Sequence, residues 1–150
     1  MKKILGILIL LLLNIMAVNA QTKTVKLMDI YAGPVWGGYC ETTNLDNNAT
    51  TQYVYLKFYE NHDGTKPTVV IYLNDQTELD AFIKDMNSAL DILGSKAAAK
   101  WSREEYAISV ISSFSKLVLY QKPTEGTYYT FMKKSNVKKL IKKLKLIQLK

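Results

Sequence analysis

One nucleophile and base pairing stands out because each partner occurs once: Cys40 is the only thiol and His62 the only imidazole. A thiol becomes a nucleophile when a base takes its proton, and a third group orients the base. Asp29, Asp46 and Asp63 are candidates for that third role. The run Trp36-Gly-Gly-Tyr-Cys40 reads as a loop that would expose the thiol. No local signature of a cysteine enzyme surrounds it, however. His62 stands in Asn61-His-Asp-Gly64, a turn composition that needs no catalytic explanation. A lone cysteine is more often buried as a small apolar side chain. A Cys-dependent hydrolase or thiol enzyme using Cys40 and His62 is therefore the second reading of the chain.

Metal and cofactor chemistry find no support. One His, one Cys and scattered carboxylates give no zinc spacing. Asp46-Asn-Asn and Asn61-His-Asp-Gly lack the ligand ladder of a calcium loop. No phosphate-binding loop, dinucleotide fingerprint or nucleophile elbow is present, so no cofactor is expected.

Two other groups of residues suit binding. Tyrosines alternate along strand-like segments: Tyr53, Tyr55 and Tyr59, then Tyr72, then Tyr120, with Tyr128 opening the last strand. If the apolar residues between them face a core, the tyrosines share the opposite face. Such a surface stacks on sugar rings or flat side chains and offers polar phenol tips. Trp36 and Tyr39, in the expected loop, could complete it. The second group is the basic run with Lys138, Lys139, Lys142 and Lys143, a lysine face that could rest on an anionic membrane surface. The plainer reading is a core-packing helix with solvated lysines.

The elements that must position these residues follow from periodicity. Thr24–Tyr31 is predicted as a strand, and 32–50 as a long loop carrying Gly33-Pro34 and Gly37-Gly38. Thr51–Glu60 is the clearest strand: Val54, Leu56 and Phe58 fall on one face and the tyrosines on the other. After the Asn61–Gly64 turn, Thr68–Leu73 returns as the other arm of a hairpin. A helix begins with Thr77 as N-cap and Asp80 completing an approximate capping box. Its apolar face is Leu79, Phe82, Ile83, Met86, Leu90 and Leu93, and Gly94 stops it. Gly94–Arg103 is a loop or a short helix. Strands follow at Glu105–Ser112, Lys116–Gln121 and Thr127–Met132, the last two joined by a turn over Lys122–Gly126. Ser135 caps a final helix with Val137, Leu140, Ile141 and Leu144 inward, and this face blurs after Lys145.

The order strand-strand-strand-helix thus occurs twice, and a shift of 58 positions lays Leu79 on Val137 and Phe82 on Leu140. This pattern is a weak internal duplication. The expected fold is α+β: one antiparallel sheet of five to six strands with two helices on one face.

Charge is uneven. Residues 21–115 carry 8 Lys/Arg against 12 Asp/Glu, net −4, whereas 116–150 carry 10 Lys against Glu125, net +9. Arg103 is the only arginine, and phosphate and base recognition lean on arginine, so nucleic acid is not an expected partner. The start supplies an address. Met1-Lys2-Lys3, the apolar run Ile4–Leu13, and Val18 and Ala20 before Gln21 have the layout of a secretory signal peptide. A spanning helix needs about 20 apolar residues, and this run is shorter. Residues 1–20 are expected to be cleaved, leaving 21–150 as a single domain in the periplasm or outside the cell. The expected function is non-catalytic binding of a protein, peptide or glycan, with a homodimer through the tyrosine face as an alternative use of that surface. Docking on anionic lipid through the C-terminal helix is the third reading.

Overall fold

The computed structural model describes residues 21–59, 68–121 and 128–150. The expected leader, the Asn61–Gly64 turn with His62 and Asp63, and the Lys122–Gly126 turn lie outside the described residues. The fold is α+β, with the order β1 (Thr22–Ala32), β2 (Val35–Asn44), β3 (Thr50–Tyr59), β4 (Thr68–Leu73), α1 (Gln76–Ile92), β5 (Ala99–Ser102), β6 (Tyr106–Val110), β7 (Lys116–Gln121), β8 (Tyr129–Lys133) and α2 (Lys134–Leu144).

The expected single sheet is corrected to two antiparallel sheets of four strands, ordered β1-β2-β3-β4 and β5-β6-β7-β8. Two strands account for the difference. Residues 35–44, expected as loop, form β2 between β1 and β3. Gly37-Gly38 is not turn punctuation here. A Cβ on Gly37 would collide with the Tyr55 carbonyl, so the glycine lets two backbones approach closely. Residues 99–102 form β5 at the edge of the second sheet. Among the described residues no strand ladder joins the sheets; the Gln121 side chain donates to the Val70 carbonyl at 2.6 Å.

One buried cluster draws on the inner faces of both sheets and on both helices. The first sheet contributes Ile30, Val54, Leu56, Phe58, Ile71 and Leu73, the alternating residues of each strand. α1 packs on β4 and β6, and α2 packs on β1, β7 and β8, so each helix touches both sheets. Helical spacing selects their inward residues: Leu79, Phe82, Met86 and Ala89 from α1, and Val137, Leu140, Ile141 and Leu144 from α2.

The helix starts differ from expectation. Asp75, not Thr77, caps α1: its carboxylate accepts from Glu78 N at 2.8 Å, and Glu78 reaches back to accept from Asn74 N at 2.7 Å. α2 follows β8 directly, and its N-cap Lys133 makes no side-chain capping bond, so Ser135 does not cap it. Gly94 ends α1 as expected, with φ +87°. Beyond Lys145 the chain leaves the helix and lies along the core as a strap. Ile147 and Leu149 are buried, while Leu146 is 70% exposed. Backbone bonds from Leu149 N to Gln76 Oε1 (2.8 Å) and Lys150 N to Gln52 Oε1 (3.0 Å) pin it. That extended alternation is why the helical face blurs there.

Candidate binding surface

Strand register decides which expected site residues meet. Trp36 lies opposite Lys57, Gly38 opposite Tyr55, and Cys40 opposite Tyr53; Tyr55 in turn lies opposite Tyr72. Successive side chains alternate between faces. Trp36, Tyr53, Tyr55, Tyr59 and Tyr72 therefore share the outer face of the first sheet, away from the helices. Tyr31, opposite Trp36, joins them. Tyr31, Tyr59 and Tyr72 are 60%, 58% and 46% exposed.

The rings interact along this face. Trp36 and Tyr59 have centroids 4.6 Å apart at a 43° tilt, and Tyr53 and Tyr72 lie 6.0 Å apart. Lys57 Nζ sits 5.1 Å from the Tyr55 centroid, a cation–π contact. The Lys26 stem crosses Gly38, and its ammonium bonds the Asp29 carboxylate at 2.8 Å. That bond, with the nearby Tyr55 and the Asp29 charge, raises the Lys26 pKa. At the β1 end, Tyr31, Trp36 and Tyr59 line a shallow cleft of about 600 Å³, together with Asp29, Gly33 and Thr130.

Three expected members lie elsewhere. Tyr39 has the opposite parity to Trp36 and turns inward. It packs against the core and donates to Gln52 Oε1 at 2.8 Å. Burial, then the Glu41 charge, raises its pKa. Tyr120 is on the outer face of the second sheet, 5.8 Å from Tyr129, which is 5.4 Å from Phe131. Phe114 also packs on Phe131, so this is a separate aromatic cluster. Tyr128 packs against the core. The tyrosines thus divide between two sheets, where a single sheet was expected to carry them all.

The loop that would expose Cys40 is corrected, because residues 35–44 form a strand. Cys40 lies within β2 and is 4% exposed. Asp29 is bonded to Lys26, and Asp46 stands in the β2–β3 turn beyond the strand that carries Cys40. His62 and Asp63 are outside the described residues. Lys138, Lys139, Lys142 and Lys143 are on the outer side of α2, with Lys143 half-buried. The apolar side of the same helix is in the core, so it is not free to insert into a bilayer. No helix among the described residues is long and apolar enough to cross a membrane.

One polar cluster escaped the sequence reading. Asp85 is on the apolar stripe of α1 and only 2% exposed. Arg103 grips it through Nε (2.8 Å) and Nη2 (2.9 Å), and the Tyr106 hydroxyl donates to it at 3.0 Å. Burial, then the Asp85 charge, raises the Tyr106 pKa; the bond to Asp85 raises that of Arg103. Arg103 and Tyr106 wall a cleft of about 220 Å³ with Tyr72, Glu78 and Ala81. Its signal was legible: a carboxylate at a core-spaced helical position and the chain's one arginine. Both acceptor oxygens of Asp85 are occupied, so the trio works as a clamp fixing the β5–β6 turn to α1.

Comparison with family models, curated proteins and solved structures returns no match to this chain.

Proposed function

We propose that this chain is an exported, non-catalytic binding domain whose working surface is the aromatic outer face of the first sheet. The observation that carries the reading is the exposure of Tyr31, Tyr59 and Tyr72 on a face that also holds Trp36, Tyr53 and Tyr55. Contiguous apolar surface of this kind on a monomer commonly marks an interaction site. Contacts of Trp36 with Tyr59 and of Tyr53 with Tyr72 hold part of this surface in place before binding, which favours it. Export rests on the layout of residues 1–20. The thiol-enzyme alternative is disfavoured by the burial of Cys40.

Trp36 reports on the surface. Titration of the purified protein with soluble oligosaccharides and short peptides, followed by tryptophan emission, is expected to find a probe that changes the signal. Tyr59→Ala and Tyr72→Ala should each keep the far-ultraviolet circular dichroism of the parent and weaken that probe by about tenfold or more, as loss of an aromatic anchor does. Loss of folding in both variants would make the tyrosines structural and sink the reading.

Duplication belongs to the same reading. It is supported by the repeated order of four strands and a helix, and by helix starts at 76 and 134, the shift of 58 found in the sequence.

A further inference from the structure

The aromatic cleft does not end at the sheet. Lys139 of α2 places its Nζ 5.1 Å from the Tyr31 ring centroid, and the Asn136 side chain closes on Gly33 in the β1–β2 turn. The lysine side of α2 therefore borders the cleft through Tyr31 and Gly33. That side carries Lys134, Lys138, Lys139, Lys142 and Lys143, with Lys145 just beyond, and no acidic residue stands between Lys133 and Lys150. Among the described residues, the ion pairs are Lys26–Asp29 and Arg103–Asp85, and none involves these lysines. That concentration of positive charge can meet an anionic partner.

From this junction we infer that the surface takes an acidic oligosaccharide, with sugar rings against Trp36, Tyr59 and Tyr31 and carboxylates over Lys139 and Lys143. The inference rests on the aromatic-face reading and adds the ligand's chemistry. Three observations select it. The cleft has the volume of small-molecule sites, about 300–1,000 Å³. Tyr31 and Tyr59 are more than half exposed, which leaves ring surface for a pyranose beside the Lys139 contact on Tyr31 and the Trp36 contact on Tyr59. Asp29 is on the cleft wall with one carboxylate oxygen bonded to Lys26, and the other can accept from a sugar hydroxyl. A single-stranded nucleic acid also pairs stacking rings with negative charge, but phosphate recognition leans on arginine forks, and the chain's one arginine, Arg103, is committed to Asp85. A bilayer is excluded as an insertion partner because Val137, Leu140, Ile141 and Leu144 are already buried.

The test is isothermal titration of the purified protein with hexagalacturonate, neutral maltohexaose and hexathymidylate. The expected result is hexagalacturonate bound at least about tenfold more tightly than maltohexaose. That affinity should fall with added salt. It should also fall about tenfold in Tyr59→Ala and in the Lys139→Ala/Lys143→Ala variant, each retaining the parent's thermal midpoint within a few degrees. Equal binding of the two sugars would overturn the acidic ligand while leaving the aromatic face in use. Hexathymidylate binding as tight as hexagalacturonate, or hexagalacturonate binding unchanged in Tyr59→Ala, would reduce the surface to a general polyanion patch and overturn it too. Binding of neither sugar overturns the inference outright; the broader reading is then judged by the peptides in its own titration.

Discussion

The Asp85–Arg103–Tyr106 clamp shows how one buried charge is made tolerable. A carboxylate in an apolar helix face is costly unless its oxygens are satisfied, and the arginine fork supplies two donors in one plane. Arg103→Ala strips those donors and leaves the charge behind. We expect a clear loss of stability, moderated because the arginine side of the pair is half exposed and screened by solvent. Urea unfolding measures it, and Arg103→Lys should restore only part, since lysine cannot present the fork. A loss below that of an ordinary surface substitution would show the clamp to be idle. The cluster also sets an alkaline limit. The pKa values of Tyr106 and Tyr39 are raised in the folded protein above the ordinary 10.0, with burial the leading cause for both. Below that value both states hold these protons, and the stabilisation is fully present. Above it the unfolded chain releases protons that the folded chain keeps, so stability falls as pH rises. Unfolding at pH 8 and pH 11 should show the drop, and Tyr106→Phe should make it smaller. An equal drop in the variant would remove Tyr106 as its source.

At the scale of elements, the strands with clean alternation and the helices with clean 3.6-residue spacing were legible, and β7 falls on the predicted residues 116–121. β2 was not legible because its glycines resemble a turn until the neighbouring strand is known. Gly37 is demanded by the Tyr55 backbone, a contact between distant parts of the chain. β5 is four residues long, too short for a period to show. Helix starts failed for a local reason: several side chains can cap, and the chain uses the one that leaves β4 in the right place. Asp75→Ala should therefore cost about 0.5–2 kcal/mol. Ser135→Ala should cost nearly nothing, because α2 has no side-chain cap to lose. Thermal unfolding of the two variants compares them directly, and equal losses would contradict this assignment. Lys142 and Lys143 in the last turn of α2 favour its dipole instead.

For the whole molecule, the candidate surface was half legible. Alternation put Tyr53, Tyr55, Tyr59 and Tyr72 on one face and Val54, Leu56 and Phe58 on the other, and both assignments follow from a single strand pair. Which sheet Tyr120 belongs to, and which way Tyr39 points, depend on strand order and register, which no short stretch of sequence encodes. The meeting of Tyr31 with Lys139 is likewise a product of α2 packing on β1. An aromatic face that serves a partner other than a second copy must stay open in the free protein. Light scattering of the purified protein in solution is the first measurement to make. The mass of a monomer is expected across the working concentration range. A tight dimer that Tyr59→Ala or Tyr72→Ala splits into folded monomers would contradict it, because the face would then be an interface between identical chains.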